Sequence, residues 1–67
     1  MYYDDLLAII NTLDKFTDGK AVKQQFLEEW GSGSEINMNK ALRRLREHKK
    51  VKFRKKGVRI FYKQLSK

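Results

Sequence analysis

The 67-residue chain has no cysteine, no proline and no apolar run longer than the five residues from Leu6 to Ile10. Without cysteine there are no disulfides, thiolate metal ligands or thiol nucleophiles, and the chain has no need of an oxidising compartment. Five apolar residues fall far short of the roughly 20 that cross a bilayer, and the acidic Asp4-Asp5 start is wrong for a secretory signal. A cytoplasmic protein without a membrane partner is therefore expected. His48 is the only histidine, so a metal site would have to be built from carboxylates, and none is expected.

Acidic residues are also scarce in one half of the chain. Residues 37–67 hold thirteen Lys/Arg against Glu47 alone, a net of +12, whereas residues 1–36 hold three lysines against seven carboxylates, a net of −4. One part of a small domain building the scaffold while the other meets a polyanion would produce such a division, and nucleic acid is the first candidate. At this length one domain over residues 1–67 is expected, burying about 60% of the surface of the unfolded chain. The eight aromatics and 40% hydrophobic content suffice for a core despite 36% charged residues.

Signals for catalysis are absent. The pairs Asp4-Asp5 and Glu28-Glu29 are adjacent, so on helices their side chains diverge instead of converging on a reacting atom. Gly31-Ser32-Gly33-Ser34 lacks both the lysine and the preceding strand of a phosphate-cradling loop. Three short helices leave little volume for a pocket of convergent titratable groups. Neither enzyme activity nor a cofactor is expected.

Apolar periodicity predicts an α+β fold. Tyr3, Leu6, Leu7, Ile10 and Leu13 recur at helical spacing over roughly residues 3–15, with Asp4 and Asp5 favourably placed in the first turn. Thr17 or Asp18 is the expected N-cap of a second helix carrying Val22, Phe26, Leu27 and Trp30 and ending at Gly31. Trp30, like Tyr2, is expected in the core or at its edge. Residues 31–34 read as a loop, within a connection of about six residues, longer than the tight helix-turn-helix turn. Met38, Ala41, Leu42 and Leu45 form the inner face of a third helix, about 37–49.

Beyond it the period changes to two. Val51 and Phe53 on one side, and Ile60 and Tyr62 on the other, alternate with Lys52, Arg54, Arg59 and Lys63, predicting a hairpin over residues 51–63. With the turn centred on Lys56-Gly57, Phe53 would face Ile60 and Val51 would face Tyr62 on the core side. The outer side would then pair Lys52 with Phe61 and Arg54 with Arg59, and the two arginines would repel unless an anion lay between them.

Three helices followed by a basic hairpin resembles the winged helix-turn-helix family over essentially the whole chain. The most specific stretch runs from Asn37 to Leu45 (NMNKALRRL), with Val51 entering the first wing strand; Lys49 stands where many members have a helix-ending glycine. The resemblance implies a three-helix bundle with a C-terminal hairpin wing that binds double-stranded DNA. The third helix would enter the major groove, and the hairpin would touch backbone or minor groove.

On the third helix, Lys40, Arg43 and Glu47 lie opposite the inner face, with Asn37, Asn39, Arg44 and Arg46 on the flanks. Asparagine pairs bidentately with adenine and arginine with guanine, so Asn39, Lys40 and Arg43 are the candidates for base edges, and Asn37 and Arg44 for the nearby phosphates. A basic helix face kept polar for solubility would not need one sign of charge, since like charges at i,i+4 cost a few tenths of a kcal/mol per pair. Arg54, Lys55, Lys56 and Arg59 cluster near the hairpin turn as backbone contacts, although edge-strand charges also block aggregation. Phe61 is open between a nucleotide contact, a dimer contact and packing on the first helix.

A small transcriptional regulator or excisionase-like factor, from a phage or mobile element and compatible with a homodimer, fits these features. The alternative is a winged-helix module whose basic face docks on an acidic protein partner. Protein interfaces are depleted in charge and enriched in aromatics at their centre, and the face of the third helix has no aromatic. Asn39-Lys40 is faintly similar to Z-form-binding winged helices, but Arg43 replaces their aromatic and the wing has no proline.

Overall fold

A computed structural model describes residues 2–65 as three helices and a three-stranded antiparallel sheet. In chain order they are α1 (Tyr2–Ile10), β1 (Thr17–Asp18), α2 (Gly19–Trp30), α3 (Glu35–Glu47), β2 (Lys52–Lys56) and β3 (Arg59–Lys63). The strands lie in the order β1-β3-β2, so the last strand is the central one. One cluster fills the space between helices and sheet. It unites Leu6, Ile9 and Ile10 of α1, Val22 and Phe26 of α2, and Met38, Ala41, Leu42 and Leu45 of α3 with Val51 and Tyr62. No helix among the described residues is long and apolar enough to cross a membrane.

The helices form where the apolar stripes run, but their ends differ from the expectations. α1 stops at Ile10, not near residue 15, and the chain tightens through Thr12 N–H to Ile9 (3.1 Å) and Leu13 N–H to Ile10 (2.9 Å). The Thr12 hydroxyl also donates to the Ile9 carbonyl, 2.7 Å away, the kind of local bond with which threonine competes against helix continuation. Asp18 caps α2 by accepting from the Lys20 N–H (2.9 Å). α3 begins at Glu35, two residues earlier than predicted, because Ser34 acts as its N-cap and accepts from the Asn37 N–H (3.3 Å). The helix connection is thus the four residues 31–34, not six.

β1 was not foreseen. Two residues carry no periodicity, and Asp18 serves both as its second residue and as the α2 cap. Thr17 pairs with Tyr62 and Asp18 with Phe61.

The hairpin turn sits one residue later than predicted, on Gly57-Val58, so that Phe53 faces Tyr62, Arg54 faces Phe61, Lys56 faces Arg59 and Lys52 faces Lys63. The physical reason is the backbone of the turn. Gly57 has φ +63° while Val58 has no positive φ, the arrangement of a two-residue hairpin loop with glycine first. A turn centred on Lys56-Gly57 would place lysine where the favoured hairpin turns need φ > 0. Arg54 and Arg59 therefore do not oppose each other. The shift preserves which residues share a face, but Phe53, expected in the core, is 41% exposed because β2 is an edge strand that packs mainly on β3.

Trp30 is the end of a ladder of rings rather than a buried residue. It stacks on Phe26 with centroids 5.0 Å apart, Phe26 stacks on Tyr2 at 5.2 Å, and Trp30 remains 48% exposed. Tyr2 secures the loop before α3, its hydroxyl accepting from the Ser34 N–H (2.8 Å).

α3 closes with Lys49 N–H bonded to Arg46 and Lys50 N–H reaching back to Leu45 (3.0 Å), while Lys49 has φ +56°. This six-to-one closure places a left-handed residue just past the helix, the position at which glycine is unstrained. A lysine there costs about 1–2 kcal/mol of backbone strain. Lys49→Gly should accordingly raise stability by about 1 kcal/mol, measured by denaturant unfolding; a loss of stability would show that the lysine side chain contributes more than its backbone costs.

Candidate nucleic-acid interface

The inner residues of α3 face the core, which aims the opposite side at solvent. Lys40, Arg43 and Glu47 lie there, with Arg43 Nε bonded to the Glu47 carboxylate at 3.2 Å. Both partners are exposed, and such i,i+4 pairs are worth only about 0.3–0.5 kcal/mol, so Arg43 is free to exchange Glu47 for another acceptor. Ile36, at the start of the same surface, is 69% exposed. Sequence reasoning passed over it, although its position two residues before Met38 could have placed it outside the apolar stripe.

Two clefts flank α3. One, of about 730 Å³, lies on the α1 side and brings together Asn37, Lys40, Arg43 and Arg44 with Tyr2, Tyr3 and Glu47. Here the Tyr3 hydroxyl stands 3.0 Å from His48 Nδ1, joining the start of α1 to the end of α3. The second, of about 410 Å³, is bounded by the N-terminal end of α2, by α3 and by the hairpin. It is lined by Lys20, Lys23, Asn39, Arg46, Val58 and Arg59, among others.

Asn39 thus opens toward α2 and the hairpin. Its side-chain oxygen accepts from Lys23 Nζ (3.0 Å), which also pairs with Glu35 at 3.2 Å. Lys20 and Lys23 were not singled out from sequence, because they lie in the acidic half and only the packing of α2 against α3 carries them to this cleft. Arg46 is half-buried and donates to the Tyr62 hydroxyl at 2.5 Å. Tyr62 itself is 1% exposed.

Burial pushes the Tyr62 phenol above its ordinary value of 10.0, and the charge and hydrogen bond of Arg46 pull partly back. The folded protein holds this proton more tightly than the unfolded chain does. The associated stability is complete below the ordinary tyrosine range and is lost as pH rises through the folded value.

The hairpin cations are divided between two faces. On β3, Ile60 and Tyr62 turn toward the helices, so Arg59, Phe61 and Lys63 turn away. Pairing carries Lys55 to the helix side and Lys52, Arg54 and Lys56 to the outer side. Arg54 lies over the ring of Phe16 at 4.5 Å, with Lys63 Nζ 5.7 Å from the same ring. Arg59 reaches Asp18 at 3.7 Å. Of the residues proposed from sequence, Asn37, Lys40, Arg43 and Arg44 therefore share one surface, Asn39 and Arg59 share the second cleft, and Arg54 and Lys56 belong to the outer face of the sheet. Phe61 is half-buried on that outer face, opposite Arg54.

Two like-charged pairs, Lys52 with Lys63 and Lys56 with Arg59, stand directly across the ladder. Each such pairing is destabilising on a scale of about 0.2–1 kcal/mol.

The chain matches no protein-family model, no curated protein and no solved structure. Its chemistry is accordingly read from the charge and geometry of these surfaces.

The alkaline behaviour of Tyr62 is directly measurable. Circular dichroism and tyrosinate absorbance followed together should show stability falling above pH 10, with Tyr62→Phe giving a flatter decline. An equally steep decline in the variant would place the sensitive group elsewhere.

Proposed function

We propose that this protein is a winged-helix binder of double-stranded DNA, with α3 in the major groove and the tip of the β2–β3 hairpin on the backbone or minor groove. The observation that carries this reading is the basic, aromatic-free outer face of α3, projecting from a core that holds the helix rigidly beside a basic hairpin. The order helix, strand, two helices and two strands, with β3 central, is compatible with a winged-helix layout.

Lys40 and Arg43 are the residues for base edges, Arg43 taking guanine in place of its weak pairing with Glu47. Ile36 supplies an apolar contact suited to a thymine methyl group near the N-terminal end of α3, where recognition helices read bases. Asn37 and Arg44 reach the phosphates on the α1 side. In the second cleft, Lys20 and Lys23 meet the other strand's backbone while Arg46 stays bonded to Tyr62, and Asn39 reaches a base edge only by releasing Lys23. Val58, 100% exposed at the hairpin tip beside Lys56, gives the wing an apolar point that fits against sugars in a minor groove. The protein has no catalytic role in this reading, and it acts by occupying or shaping its site as a small regulator or accessory factor.

Docking on an acidic protein is the competing function. Arg43→Ala should cost about 1–3 kcal/mol on a preferred duplex and relax discrimination at one base pair, while Lys56→Ala should weaken all duplexes alike and reduce the salt slope by about 1. Equal losses for both variants on every sequence would remove α3 from the major groove.

A further inference from the structure

The outer face of the sheet lies on the opposite side of β3 from α3, because Tyr62 points to Arg46 while Phe61 and Lys63 point away. That face carries Lys52, Arg54, Lys56 and Lys63, and at its edge Arg59, which also lines the cleft beside α2 and α3, engages the carboxylate paired into the face, Asp18. A duplex lying along α3 leaves most of these cations unused. We propose that the outer sheet face binds the phosphate backbone of a second DNA duplex, so that one protein molecule bridges two DNA segments. This rests on the duplex-binding reading of α3 given above.

Three observations favour a duplex backbone over other polyanions. First, Lys52 opposes Lys63 and Lys56 opposes Arg59 across the ladder, an arrangement that an anion lying along the hairpin would relieve. Second, the two rings on this face do not offer free stacking platforms. Phe16 is roofed by Arg54 at 4.5 Å and flanked by Lys63 at 5.7 Å, and Phe61 is half-buried between Asp18 and Arg54. The Phe16 ring is covered by Arg54, whereas a single strand would need ring faces open to its bases. Third, the face is linear. The five residues of β2 extend about 13 Å, a length that follows about two to three successive phosphates of one duplex strand.

The occupant is read by charge alone, since the outward residues of the two long strands, Lys52, Arg54 and Lys56 with Arg59, Phe61 and Lys63, include no amide or hydroxyl side chain. Binding at this face is therefore indifferent to sequence and steeply dependent on salt. Arg54, Lys52 and Lys63 are its defining residues, because Lys56 and Arg59 lie next to the turn and are shared with the wing.

The test is co-capture. An immobilised duplex saturated with protein is exposed to a second, labelled duplex of unrelated sequence, and the retained label is measured. The wild-type protein should retain it, and Lys52→Gln/Lys63→Gln should lower retention about tenfold while changing affinity for a single duplex less than about twofold. This variant removes one exposed and one half-buried charge and leaves the Arg54–Phe16 contact in place; Arg54→Lys, which keeps the charge, should retain the label. Absence of co-capture by a wild-type protein that binds the first duplex would overturn the bridging proposal alone. Failure to bind the first duplex would instead overturn the α3 reading. Undiminished bridging by the double variant would assign it to protein association, and capture of single strands in preference to duplex would assign the face to unpaired bases; either result contradicts the proposal.

Discussion

Tyr62 is the residue on which the other elements converge. It occupies the central strand, pairs with Thr17 on one side and Phe53 on the other, and sends its hydroxyl to Arg46 of α3. Its ring also sets the approach of α2. A Cβ added at Gly19 would stand 2.8 Å from that ring and 3.2 Å from the Ile60 carbonyl, so the first residue of α2 must be glycine for the helix to start where it does. Strand order, the start of α2 and the rotation of α3 are thus coupled through one buried phenol. Arg46, which looks from sequence like one more groove-facing cation, is half-buried and committed to this contact.

That coupling determines how the charge is displayed. The acidic half of the chain supplies α1, β1 and α2 with five of the eleven buried core residues, while the basic half supplies α3 and both long strands with the other six. Because β3 is central, its two faces belong to different environments. Lys55 shares the helix side, Lys52, Arg54, Lys56 and Lys63 share the other, and Arg59 at the edge also lines the cleft beside α2 and α3. The positive charge of α3 and the hairpin is therefore split between two surfaces, and repulsion within each persists in the free protein. Interactions of this kind weaken folding slightly and strengthen association with anions.

Much of this was legible in the sequence, and the failures have identifiable causes. Helical periodicity located all three helices and the inner face of α3, since Met38, Ala41, Leu42 and Leu45 admit only one orientation. The alternation from Val51 to Tyr62 located the hairpin and assigned its faces correctly. It misplaced the turn by one residue, because Gly57 announces a turn without saying which position it takes, and that depends on φ. β1 is too short to have a period. Lys49 was noticed only as a residue standing where glycine is common, and the backbone explains why. Trp30 stands at the edge of the core, one of the two places expected for it, whereas Phe53 was expected to be covered and lies on an edge strand. At the interface, the residue types of α3 were readable, whereas the partners of Asn39 and the arrival of Lys20 and Lys23 depend on helix packing that no local pattern encodes.

The central claim is that the basic surfaces meet duplex DNA, and its most direct test is the affinity of the intact protein for a labelled random duplex, followed by fluorescence anisotropy as salt rises from about 50 to 200 mM. A duplex binder of this charge gives micromolar or tighter affinity at low salt and a steep linear fall of log K with log salt, reflecting several displaced counterions. Absence of binding at the lowest salt, or affinity that is flat across the series, would contradict it and turn attention to an acidic protein partner.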